Sequence, residues 1–251
     1  MNRYSCLVRF TYVAAFLLCD NAQGLTVGDI TVLGFRTKPV DQFSFITWVN
    51  IDEGTQLFFT DSSFNGVDFT TFQEESVLWT VPAPGLVAGQ IVVSSQNEFG
   101  DSQLFDVGGV SSGEISSLAD TGDNLFVFDG TSVSDPPIFG INFANNNSWV
   151  SSNASPTDSY LPGSLAVTGG NISVSPAHQE DHGHYNGLRT FPTLASAKAA
   201  VFDVNNWTFS TSNSFTLSSE DFTILPEPSS LTMLLFGGIA AIVLRRTLHA
   251  L

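Results

Sequence analysis

A mainly β fold is predicted, a single sandwich or jelly-roll-like domain with one or two short helices, and three observations predict it. Short apolar runs rich in Phe, Val, Ile and Trp recur every ~8–12 residues, the spacing of successive strands in all-β domains. The breaks between them carry Gly, Pro, Asp and Asn, each of which has its own means of turning a chain. No unit of ~20–50 residues repeats, which argues against a solenoid or propeller.

Five strands are expected in the first half of the body, over Ile30 to Phe35, Phe43 to Val49, Thr55 to Phe59, Ser76 to Val81 and Gln90 to Val93. Lys38 and Pro39, Asp52 to Gly54, Pro82 to Gly85, and Ala88 and Gly89 separate them. From Asn97 to Leu118 the pattern loosens, with Gly108, Gly109 and Gly113, and reads as loop with one or two strands. Order returns at Asn124 to Phe128 and Ile138 to Phe143, and further strands fit Leu165 to Val167 and Ile172 to Val174. Leu194 to Phe202 is alanine-rich and follows Pro192 and Thr193, which predicts a helix capped by Thr193. Trp207 to Phe209 and Phe215 to Leu217 are expected to close the sheet, and 218–225 reads as a short acidic linker.

Both ends read as addresses. Arg3 and Arg9 precede an apolar run from Phe10 to Cys19, and Ala22 and Gly24 place small residues where a signal peptidase inspects them, so 1–24 reads as a secretory signal handled by the secretion translocon. Leu18 is too large to precede a lipidated Cys19. Cys6 and Cys19 both lie in this segment, so the body from 25 onward has no disulfide and depends on packing. Residues 25–225 carry 22 acidic side chains against Arg36, Lys38, Arg189 and Lys198, a formal charge of −18. Nucleic acid and anionic lipid are poor partners for that surface. Abundant, regularly placed aromatic and branched residues nonetheless argue for a packed core over disorder.

Near the carboxyl end, Leu231 to Leu244 contains no charge and is followed by Arg245 and Arg246, a positive-inside stop that leaves the body outside. Fourteen residues at ~1.5 Å each span about 21 Å, short of the ~30 Å hydrocarbon core, which suits temporary anchoring. Pro226 and Pro228, around Glu227, keep the chain before the helix extended and open to a processing enzyme. An ordinary anchor has no need of that motif, and a glycolipid signal needs a polar spacer of ~8–12 residues that is missing here.

The order Pro226, Glu227, Pro228, apolar helix, Arg245, Arg246 resembles the PEP-CTERM sorting signal of Gram-negative bacteria, whose carriers are substrates of exosortase. The resemblance covers 226–251 and implies export, transient anchoring in the inner membrane, cleavage near Pro226 to Pro228, and a place at the cell surface or in a biofilm matrix, where extracellular polysaccharide is a partner. The tail Thr247 to Leu251 is longer than is usual for such signals. The body, from Gly28 and Asp29 through Asp41, Asp52 to Asp61, Leu78 and Trp79, Gly122 to Phe128, Tyr185 to Gly187 and Asn205 to Trp207, is similar to an uncharacterised extracellular β domain of secreted and PEP-CTERM proteins. That resemblance implies fold maintenance and supplies no catalytic residue.

Four constellations are candidates for chemistry. Gly109 to Gly113 matches G-x-S-x-G with Ser111 as nucleophile, but the helices of an α/β hydrolase are missing, so a flexible loop is the simpler reading. His178, His182 and His184, with Asp181, form a cluster; a short helix from Pro176 would place His178 and His182 on one face for a transition metal, and a solvated polar loop is the alternative. Glu180 is misplaced for H-E-x-x-H, so no metalloprotease base is positioned. Asp120, Asp123, Asn124 and Asp129 flank one strand and offer oxygens to a structural Ca²⁺, although strand-end aspartates also simply make turns. Trp48 and Trp79 belong to the core, while Trp149 and Trp207 are the candidates for stacking on a sugar. The expected function is therefore an exported, acidic, non-enzymatic surface or matrix protein, with a glycan- or Ca²⁺-binding module as the alternative and a secreted hydrolase behind both.

Overall fold

The protein is seen here as a computed structural model that describes residues 24–38, 40–96, 103–144, 148–174, 181–211 and 216–225. Outside those residues lie 1–23 of the secretory signal with Cys6 and Cys19, His178 of the histidine cluster, the sorting motif Pro226 to Pro228, the apolar run 231–244 and the basic stop Arg245 and Arg246. Among the described residues no helix is long and apolar enough to cross a membrane.

The chain is mainly β. Its strands are β1 (Ile30–Arg36), β2 (Gln42–Thr47), β3 (Gln56–Thr60), β4 (Ser76–Thr80), β5 (Ile91–Gln96), β6 (Gln103–Phe105), β7 (Val110–Glu114), β8 (Asn124–Asp129), β9 (Pro137–Asn142), β10 (Asn171–Ser173), β11 (His182–Tyr185), β12 (Thr190–Phe191), β13 (Trp207–Ser210) and β14 (Thr223–Ile224). One six-stranded sheet runs β13-β11-β1-β2-β5-β6 and a second runs β10-β9-β8-β3-β4-β7. A third, two-stranded sheet joins β12 to β14 in parallel.

The two large sheets share one apolar core, as in a β-sandwich. Period-2 alternation sends every second side chain of a strand to the same face, so Phe43 and Phe45 of β2 meet Phe59 of β3 at ring distances of 5.0 and 5.2 Å. Phe35 of β1 stacks on Phe143, just beyond β9, at 3.9 Å and 13°. Trp48 and Trp79 are core residues, as expected, and each indole N–H is satisfied: Trp48 donates to Thr31 Oγ1 at 2.8 Å and Trp79 to the Gly108 carbonyl at 2.9 Å.

The single α-helix among the described residues, α1 (Leu194–Val201), begins as the sequence predicts. Thr193 accepts from the Ser196 amide and Ser196 answers toward the Thr193 backbone, a reciprocal cap in which Ser stands where Glu or Gln is usual.

Four expectations are corrected. Leu165 to Val167 is not a strand: Gly163–Leu165 forms one 3₁₀ turn that buries Leu165 beneath β9. Thr216 and Leu217 are not in a strand either. The loop or short helix expected through His182 and His184 is instead strand β11, lying between β1 and β13. The residues read as a linker, 218–225, fold onto the body: they contribute β14, Phe222 is buried, and the amides of Phe222, Thr223 and Leu225 donate to Gly89, Arg189 and Phe191 carbonyls at 2.8 Å each.

Candidate metal centre

The antiparallel pairing of β3 with both β4 and β8 puts the end of β3 beside the beginnings of its two neighbours. Asp61 is the first residue after β3, Glu74 stands two residues before β4, and Asp123 immediately precedes β8. One carboxylate oxygen from each lies within 4.8 Å of the other two. Residues distant in sequence therefore form one acidic cluster at the rim of the second sheet.

Asp61 is fully buried and Asp123 is 1 % exposed, while Glu74 is half-buried. Both carboxylate oxygens of Asp61, and Oε2 of Glu74, are buried without a hydrogen-bond partner. Asp123 is better held: its Oδ2 accepts from the Ala119 amide at 2.9 Å and its Oδ1 from the Asn124 amide at 2.8 Å. Asn124 donates its side-chain amide to Ser63 Oγ at 2.9 Å and to Asp123 Oδ1 at 3.3 Å, leaving its own buried Oδ1 without a partner beside the cluster.

A hydroxyl lattice fixes the chain around these acids. Thr60 Oγ1 donates to the Glu75 carbonyl at 2.6 Å, and Ser62 Oγ accepts the Glu74 amide at 2.9 Å. The Glu75 carboxylate is already partnered, since it receives the amide and hydroxyl of Ser116.

The electrostatics are costly. Burial, then the charges of Glu74 and Glu75, raise the Asp61 carboxyl to about 8, against the Asp61 and Glu75 amides, which lie near it without reaching hydrogen-bond geometry. Burial raises Asp123 well above the ordinary range, with Asp61 and Glu74 adding to it against the two amides, and burial followed by Glu75 raises Glu74. A set of acids pushed upward together is relieved by a positive charge, and among donors that are all oxygen the suitable one is a hard cation.

The aspartates expected to share a Ca²⁺ do not converge. Asp123 and Asn124 begin β8 while Asp129 ends it, and at ~3.4 Å per residue the strand holds them roughly 17–20 Å apart. Asp129 instead accepts the Leu25 amide at 2.7 Å, and Asp120 pairs with Lys38 at 2.5 Å. Asp61 and Glu74 were missing from the expected set. The signal available was an aspartate directly after a strand, followed by Ser62 and Ser63, but its partners could be found only through strand pairing.

The other candidates are placed as follows. Ser111 lies in edge strand β7, not in a loop or a strand-to-helix elbow, and its hydroxyl donates to the Gln103 carbonyl. His182 and His184 sit two apart on β11, on one face and opposite Arg36 and Gly34, so His182 is on a strand and not on the helix that the i, i+4 spacing required. Burial lowers both imidazoles, His182 being only 2 % exposed, and Asp181 next to them faces Lys38 at 3.5 Å. Trp207 is corrected from a surface platform to a buried anchor, 7 % exposed, with its indole N–H on the Val201 carbonyl at 2.8 Å. Trp149 is half-buried over Phe126 and donates to Asn171 Oδ1 at 3.1 Å, so part of its ring surface is already used.

No protein-family model, no curated protein and no solved structure matches the chain.

Proposed function

We propose that this chain is an exported, non-enzymatic protein of the cell surface or extracellular matrix, sorted and cleaved by an exosortase. The observation that carries the reading is the order Pro226, Glu227, Pro228, uncharged run 231–244, Arg245, Arg246, behind an amino-terminal secretory pattern. The body supports it indirectly. Leu225, the residue directly before the sorting motif, is tied to β12 through its amide, so the motif follows a residue fixed to the body. Pro226 and Pro228 disfavour helix in themselves and in the residues ahead of them, which suits a processing enzyme acting just beyond the body.

The test is mass spectrometry of the mature protein recovered from a host that possesses an exosortase. A carboxyl terminus between Pro226 and Ser230, with a start near Leu25, supports the proposal; an intact tail that still carries Arg245 and Arg246 ends it. A binding module is the second reading, favoured by the acidic cluster at Asp61 over any arrangement of exposed aromatics.

A further inference from the structure

We propose that Asp61, Glu74 and Asp123 bind one Ca²⁺, which clamps the β3–β4 connection to the start of β8. The site is independent of how the tail is processed. Three carboxylates are present and neither imidazole nor thiolate is among them, which favours a hard cation over zinc or copper. Calcium sits ~2.3–2.6 Å from its oxygens, so ligands on opposite sides of one ion are about 4.6–5.2 Å apart. One oxygen from each of the three carboxylates lies within 4.8 Å of the others, which is compatible with a single centre.

The buried, unpartnered oxygens of Asp61 carry the argument further than clustering alone. Protonating Asp61 would neutralise it but still leave a buried O–H and C=O without partners, at a cost of about 1–3 kcal/mol for each such group. A divalent ion satisfies both oxygens and offsets the charge of its neighbours. Asp123 is suited to the same role, because Asn124 holds its Oδ1 through two hydrogen bonds while Oδ2, which accepts only the Ala119 amide, retains a second lone pair. Calcium is preferred to magnesium, which keeps several of its waters, whereas Asp61 and Asp123 are closed to solvent.

The experiment is calcium titration of the full chain in mild detergent after chelator stripping, read by calorimetry and by melting temperature. One Ca²⁺ per chain, a higher melting temperature on adding it, and at least a tenfold loss of affinity in Asp61→Asn and Asp123→Asn are expected. In chelator, Asp61→Asn should melt no lower than the parent, since it removes buried repulsion; a residue that mattered only for packing would not give that pattern. Glu74→Gln, at a half-buried position, gives the same test if the aspartate variants fail to fold. Asp120→Asn should leave calcium binding unchanged. Absence of binding at millimolar Ca²⁺, an undiminished calcium response in both Asp61→Asn and Glu74→Gln, or tighter binding of Mg²⁺ or Zn²⁺ overturns the proposal. Trimming of the tail is measured separately, so either conclusion can fail alone.

Discussion

The ring of Phe222 lies parallel to that of Phe191, 5.8 Å away at 12°, and meets the edge of Trp48 at 5.6 Å and 84°. Arg189 covers the same ring at 5.4 Å, and Asp221 Oδ1 accepts the Ile91 amide at 2.7 Å. Residues after Leu217 thus close the body. Phe222→Ala should cost about 3–5 kcal/mol, the usual range for removing a buried Phe. Chemical denaturation of the variant, and of chains ending at Leu217 or at Leu225, checks this: the shorter chain should be the less stable by a similar or larger amount.

Asp41 predicts a pH dependence. Burial, opposed by the Leu118 amide and supported by Glu75, raises its carboxyl to about 7, with Arg36 lowering it slightly. The folded state holds the proton up to about pH 7, while the unfolded chain releases it near 3.8. Between those values the native state binds more protons, so this group makes stability fall as pH rises, by up to about 1.4 kcal/mol per pH unit. Asp41→Asn keeps an acceptor for Leu118 and should flatten that slope, gaining stability above pH 7. Unfolding curves at pH 5 and pH 8 for both proteins decide it.

Gly183 gives way to two rings. A Cβ at this position would lie 2.6 Å from Phe35 Cε1 and 2.9 Å from Phe209 Cδ1. Gly183→Ala should therefore displace Phe35 from its stack on Phe143 and cost about 1–3 kcal/mol, like other overpacked cores. Trimming the ring should recover part of the loss, so Phe35→Leu combined with Gly183→Ala should be more stable than the sum of the two single changes.

The amide of Leu25 reaches Asp129 Oδ2 across 104 residues. In an unprocessed chain a neutral amide donates to the carboxylate, and Asp129→Asn should cost about 1.5 kcal/mol. If export leaves Leu25 as the first residue, its amide becomes an ammonium and the contact becomes a hydrogen-bonded ion pair, so the same substitution should cost more, up to about 3 kcal/mol. Comparing Asp129→Asn in a Met-initiated chain that retains Gly24 with a chain freed at Leu25 by a protease tag measures the difference.

Much of the fold was legible because strand formation leaves a local trace. Ile30 to Phe35, Ser76 to Val81 and Asn124 to Phe128 have apolar residues bounded by turn formers, and each lies where a strand forms. β11 was not legible: His182, Gly183, His184 and Tyr185 have no apolar alternation, and they become a strand because β1 and β13 supply backbone partners on both sides. The small β12–β14 sheet escaped for a related reason, since two-residue strands have no period to detect.

The sequence by itself determined the class of fold, the helix cap at Thr193, the core position of Trp48 and Trp79, and the strongly acidic charge of the body. It also holds the whole basis for the proposed sorting. Only the tertiary structure decided which acids meet. Asp123 was visible as a strand-end aspartate, but its partners are 62 and 49 residues away, and Asp129, nearer in sequence, is carried to the far end of the same strand. The physical reason is that composition and periodicity act over a few residues, whereas antiparallel pairing of β3 with β4 and β8 chooses which strand ends become neighbours.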